Sequence, residues 1–162
     1  MTFGSMLQGL KEARVAFVVV GGLAAAAHGS RRVTDDVDIC YDSGETNVTR
    51  LADLLVGWEA YPRGIERGLP FFMDTKQFRA TPLMTLTTRE GFIDVLDQIK
   101  GVGAFAECRS RSVEVEAFDI RFRVLDLDAL IDAKRATGRA KDIDQLPELE
   151  TLRALAPRTG RM

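Results

Sequence analysis

One histidine, one tryptophan, two tyrosines and two cysteines are all that the 162 residues carry of these types. The cysteines, Cys40 and Cys108, stand at no metal-like spacing. Two in a chain of this size make no disulfide framework, so a reducing compartment is expected. Excess charge is also missing: 22 Lys and Arg against 24 Asp and Glu leave a formal −2. That balance argues against a protein that grips nucleic acid through a generally basic surface, although a local basic rim remains open. Long apolar runs are absent too. The longest, residues 15–27, is broken by Gly21-Gly22 and is too short to span a membrane. No N-terminal stretch combines a basic region, an apolar run and a small-residue cleavage site. The expected location is the cytoplasm, with no membrane partner.

What is present is the composition of a protein with a real core: 46% hydrophobic and 28% charged residues. The length suits one domain, expected over residues 1–155, with a flexible tail at 156–162. Residues 3–13 read as a short helix with Leu7 and Leu10 on one face. Val15-Ala-Phe-Val-Val-Val20 is a β-branched run of the kind found in strands buried on both faces. Gly21-Gly22 ends it, Leu23-Ala-Ala-Ala-Ala27 favours a helix, and His28-Gly29 closes that helix. A second strand is expected at 37–41, a helix at 46–60, loop at 61–68, and a β-hairpin over 83–97. Residues 113–118 and 120–124 alternate strictly and predict two half-buried strands. Asp126 can cap a helix that Gly138 breaks, and residues 142–155 predict a final helix or a helix pair around Pro147.

The chemistry concentrates in Asp36-Val37-Asp38-Ile39, which follows the paired glycines. Strand positions i and i+2 share a face, so Asp36 and Asp38 project together while Val37 and Ile39 enter the core. Adjacent carboxylates repel, and a hard divalent cation, Mg²⁺ or Mn²⁺, is the usual reason for pairing them. Gly21 and Gly22, at a strand-to-helix junction, allow backbone N–H groups to approach a phosphate. Two-ion displacement wants a third carboxylate. Asp94, an acid inside the apolar strand Phe92-Ile-Asp-Val-Leu96, is the candidate, and it can also take the proton of an attacking hydroxyl. Each feature has an ordinary explanation alone: tight packing for Gly-Gly, a solvated strand end for Asp-x-Asp, an arginine partner for Asp94. Together and in this order they favour a metal and phosphate site.

The stretch from Val20 to Ile39, with its His28-Gly29, Arg32-x-Thr34 and Asp36-x-Asp38, resembles the signature of the DNA polymerase β-like nucleotidyltransferase superfamily. Within it, the form is similar to the bacterial branch that holds AbiEii-type toxins of type IV toxin–antitoxin systems. Residues 127–146 are similar to the Lys…Gly-Arg-x-Lys-Asp…Leu segment that follows the sheet in that branch. The resemblance implies an α/β (α+β) nucleotidyltransferase fold, a mixed sheet of about five strands flanked by helices. It implies catalysis by Asp36, Asp38, Asp94 and Lys134, with the three acids holding metal. Gly21, Gly22, Arg32, Lys134 and Asp142 would bind the NTP co-substrate, ATP among the candidates, or orient the groups that do. It further implies a tRNA 3′ end as acceptor and a cognate antitoxin as partner. A small molecule such as an antibiotic is the alternative acceptor, and an inactive binding module the alternative from another class. Many relatives have serine where Gly22 stands, so a hydroxyl contact to phosphate is lost.

The remaining candidates have plainer readings beside the functional ones. His28 suits a hydrogen bond to the following loop better than general-base work. Asp35 is expected to face solvent or an arginine. Arg32, more than Arg31, is placed to pair with Asp36 or touch the nucleotide. Arg109, Arg111, Arg121 and Arg123 make a modest basic strip, suited to an RNA acceptor or merely solvated.

Overall fold

The structure is a computed structural model and describes residues 3–156 of the 162, so most of the expected tail lies outside the described residues. Helix α1 (Phe3–Glu12) buries Met6, Leu7 and Leu10. Strand β1 (Phe17–Val20) is buried along its whole length, as its β-branched run predicts. Helix α2 (Gly21–Ala27), strand β2 (Asp36–Tyr41) and helix α3 (Glu45–Gly57) follow. A two-residue strand β3 (Tyr61–Pro62) and helix α4 (Thr75–Ala80) lead to a hairpin, β4 (Met84–Thr88) and β5 (Gly91–Leu96). A small ribbon, β6 (Gln98–Ile99) and β7 (Gly103–Ala104), precedes α5 (Phe105–Ser110). A second hairpin, β8 (Ser112–Ala117) and β9 (Ile120–Leu125), is followed by α6 (Leu127–Thr137) and α7 (Ala140–Leu155).

The main sheet has the order β3-β4-β5-β2-β1-β9-β8. Strands β2 and β5 run parallel, as do β1 and β9, and the other neighbours are antiparallel. A mixed sheet with flanking helices is the expected architecture, with seven strands where the sequence predicts about five. Strand β3 is one of the additions. Two residues, one of them proline, carry no readable alternation, and they become a strand only by pairing with the edge of β4.

Both late helix boundaries follow local rules. The Asp126 side chain accepts from the Ala129 N–H at 2.7 Å, and Gly138, at φ 65°, ends α6 in the left-handed region. Helix α7 continues unbroken through Pro147, with Gln145 and Leu149 buried on either side, so the helix-pair alternative does not arise.

The core is continuous across the sheet, and its fully buried members include Val18, Val19, Ile39, Leu51, Leu55, Leu86, Ile93 and Leu125. Each such side chain contributes about 1.5–3 kcal/mol on leaving water. Asn47, buried on α3, ties the ends of two strands. Its Oδ1 accepts from the Ala16 N–H (2.6 Å), and its Nδ2 donates to the carbonyls of Ala16 (3.1 Å) and Asp42 (2.8 Å). This fixes where β1 begins and β2 ends, and so where the far end of β2 presents its acids. No helix among the described residues is long and apolar enough to cross a membrane.

Candidate active site

The sheet brings Asp36, Asp38 and Asp94 together. Burial alternates along β2, with Val37 and Ile39 fully buried and Asp36 and Asp38 half-buried on the other face. The parallel register sets Asp38 directly beside Asp94 on β5, and Asp36 beside Phe92. Carboxylate oxygens of the three lie within 4.8 Å of one another. At that spacing two full negative charges repel by on the order of 3 kcal/mol in a medium of effective dielectric 20.

Asp38 bears most of that strain. Its Oδ1 is buried and has no hydrogen-bond partner. Burial first, then the charges of Asp36 and Asp94, push its carboxyl up to about 8, against a smaller opposing pull from Lys134. Burial also raises Asp94, while the Arg63 guanidinium draws it back. An orphaned carboxylate oxygen facing two further carboxylates is the donor set that a hard, oxygen-seeking divalent cation satisfies. The residues present fit Mg²⁺ or Mn²⁺.

Gly21 stands at the turn from β1 into α2 with φ 62°, a conformation open to glycine. Its Cα faces Asp38, so no side chain could occupy the position beneath the acid. Gly22 packs against a different neighbour. A Cβ there would lie 2.8 Å from the Thr34 Oγ1, so Thr34 holds the space a longer residue would need. The Thr34 hydroxyl donates in turn to Asp36 Oδ1 at 3.2 Å.

Lys134 and Asp142 form an ion pair. Asp142 is only 1% exposed. It accepts from Lys134 Nζ (3.2 Å), Thr137 Oγ1 (2.6 Å) and Arg139 Nε (2.8 Å). Burial alone would raise its carboxyl, but these three donors outweigh it and hold the group down to about 2. Asp142 therefore orients two cations. Both lie on a cleft of about 1150 Å³, whose lining also includes Gly21, Asp38 and Asp94. Leu83, Leu96, Ile99, Val102 and Leu130 supply its apolar walls.

Arg32 is not part of this set. It is exposed, and its Nη1 donates to the carbonyl of Lys141 at 3.0 Å instead of pairing with Asp36. The arginine beside Asp36 is Arg63, which the sequence reading leaves in a loop. Its Nη1 is 3.6 Å from Asp36 Oδ2 and its Nη2 3.1 Å from Asp94 Oδ1. No local pattern marks it, because only the pairing of β3 with β4 carries it to the acids. His28 has a structural partner, but a distant one. Its Nε2 lies 2.8 Å from the carbonyl of Leu125, at the end of β9, and not against the following loop. Asp35 is exposed. Two arginines of the strip face acids, Arg111 with Asp132 (2.7 Å) and Arg121 with Glu116 (3.3 Å), while Arg123 donates to the neutral Ser112 Oγ (2.7 Å).

No protein-family profile matches the sequence, and no curated protein matches it significantly. Solved structures do share the fold. The lincosamide antibiotic adenylyltransferase LnuA, in its lincomycin-bound form, superposes with a TM-score of 0.58 at 14% identity, over 91% of this chain and 94% of that one. A Thermotoga maritima protein provisionally assigned as a nucleotidyltransferase gives 0.55 at 16% identity, over 93% and 96%. ANT(2″)-Ia, in complex with adenylyl-2″-tobramycin, gives 0.54 at 18% identity, over 92% and 91%. The fold is thus the nucleotidyltransferase fold.

Proposed function

We propose that this protein is a metal-dependent nucleotidyltransferase that moves an NMP from an NTP to a hydroxyl of a small-molecule acceptor. The observation that carries the reading is the convergence of Asp36, Asp38 and Asp94, with the buried, unpartnered Oδ1 of Asp38, beside a cleft whose lining holds Asp38, Asp94, Lys134 and Arg139. The three acids would hold Mg²⁺ or Mn²⁺, which when bound supplies charge neutralisation at the transferring phosphorus. Gly21 and Gly22 would admit the triphosphate against backbone N–H groups, and Lys134, oriented by Asp142, would meet its oxygens. Asp94 would accept the acceptor's proton as its oxygen bonds to the α-phosphorus and pyrophosphate departs. Rate enhancement then comes from positioning and fixed charge.

A small acceptor is favoured by the apolar cleft walls and by arginines that are already paired with acids. One of the similar folds is named an antibiotic adenylyltransferase and another holds adenylyl-2″-tobramycin, which supports the same direction. The second reading, a tRNA 3′ end modified by a toxin with a cognate antitoxin, is favoured by the resemblance of residues 20–39 and 127–146. Either reaction would run in the cytoplasm, where NTPs are supplied.

The deciding experiment incubates the protein with each α-labelled NTP, Mg²⁺ or Mn²⁺, and either hydroxyl-bearing antibiotics or total tRNA. Label on a small molecule is the expected result. Label on tRNA alone would transfer the assignment to the toxin reading. No label, with no metal-dependent NTP binding by calorimetry, would leave a binding module.

A further inference from the structure

Two of the three carboxylates already face a cation of the chain's own. Arg63, the residue after β3, donates from Nη2 to Asp94 Oδ1 at 3.1 Å and sets Nη1 3.6 Å from Asp36 Oδ2. Asp38, on the same face, has no such partner. One guanidinium therefore spans the two outer acids and neutralises part of their charge.

The same side chain has anchors that do not depend on the acids. Nη2 also donates to the carbonyl of Leu86 at 3.0 Å, and the guanidinium carbon lies 4.6 Å from the centre of the Phe92 ring. The Arg63 backbone N–H donates to the carbonyl of Thr85 at 2.9 Å. Its Nε is buried with no partner, so this pose leaves one donor unsatisfied. A side chain held this way can release a carboxylate without leaving the site. The oxygens it occupies are among those a divalent ion needs, and its charge opposes that ion's approach.

We propose that Arg63 is the internal counter-ion of the triad: it holds Asp36 and Asp94 in place and yields at least one of them when a divalent ion binds. It is a positioning residue, and the proposal rests on the metal-binding reading of the three acids. A bare divalent ion then binds weakly, because it must take a carboxylate from Arg63.

The test titrates Mn²⁺ into chelator-treated full-length protein without nucleotide and follows free Mn²⁺ by electron paramagnetic resonance. Arg63→Gln is expected to bind Mn²⁺ at least about fivefold more tightly than wild type. Arg63→Lys keeps the charge but cannot bridge two carboxylates, and is expected to fall between them. Equal or weaker binding by both folded variants would overturn the proposal. So would a gain confined to Arg63→Gln, since loss of charge alone would explain it. If Arg63→Gln fails to fold, Arg63→Lys carries the comparison. Wild-type protein gives an independent readout, because the Arg63 Nε–H nuclear magnetic resonance signal should shift as Mg²⁺ is added, and a signal unmoved at saturation counts against displacement. No Mn²⁺ binding by any of the proteins, with or without NTP, would reject the metal reading itself. Wild-type binding with unchanged variants would reject only the role of Arg63.

Discussion

Gly21 and Asp38 are in such close apposition that a methyl on Gly21 would collide with the Asp38 carboxylate, its Cβ 3.0 Å from Cγ. Gly21 also sits at φ 62°, where an L side chain is strained. The glycine thus serves the acid as much as any phosphate. Gly21→Ala should cost about 1–3 kcal/mol from backbone strain, and the collision should displace Asp38 as well. Urea denaturation measures the first effect, and Mn²⁺ affinity the second. A variant with wild-type values for both would show that the turn tolerates a side chain.

Asp38 gives the chelator-treated protein a pH dependence of defined sign. The folded state holds its proton up to about 8, whereas the unfolded chain releases it near 3.8. The contribution to stability is therefore fully present below the unfolded value and is lost as pH rises from about 4 through 8. Melting should fall by about 5 °C or more between pH 5 and pH 8, given the usual conversion for a domain of this length. Asp38→Asn should flatten that slope and melt higher than wild type at pH 8. A slope unchanged by the substitution would assign the dependence to another group.

Asp142 acts in the opposite direction. Its folded value of about 2 lies below the ordinary 3.8, so its contribution is present above about pH 4 and is lost as pH falls toward 2. The shift corresponds to about 2 kcal/mol for a group this well buried. Asp142→Asn should lower stability at pH 7 by a similar amount and remove that part of the acid sensitivity. Equal urea midpoints for the two proteins at pH 7 would contradict the hydrogen-bond account.

The cation Asp142 orients is also testable. Lys134→Met keeps the aliphatic stem and removes the charge, so the fold should persist. NTP affinity should drop about tenfold or more by calorimetry in the presence of Mg²⁺, the loss expected for a charge-assisted contact to phosphate. Unaltered affinity would place the triphosphate elsewhere in the cleft.

Much of this arrangement is legible in the sequence. Alternation along Val37, Asp38 and Ile39 puts both acids of β2 on one face, because the strand period is two and the apolar partners must be buried. The β-branched run of β1, the Asp126 cap and the Gly138 stop are equally local, and each is found where its residues predict. Asp94 is legible as an acid too costly to bury alone in an apolar strand.

Other features have no local signal. Arg63 lies among loop-like residues, and it meets Asp36 and Asp94 only because β3 adds to the sheet edge beside β4. The pairing of Arg32 with Asp36 is absent for the same kind of reason. Nearness in sequence to Asp36 suggests an ion pair, but the chain carries that side chain toward Lys141. His28 likewise takes its partner from residue 125 and not from the adjoining loop.

The sequence by itself determined the acids, the glycine turn and the helix that carries Lys134, because periodicity and backbone preference act over a few residues. Tertiary structure alone decided that Asp38 stands in register with Asp94, that Arg63 bridges the two outer acids, and that Lys134 lines the same cleft as Asp38 and Asp94. Those relations depend on strand order and on which edges pair, which are set by burying one common core and not by any short stretch of chain.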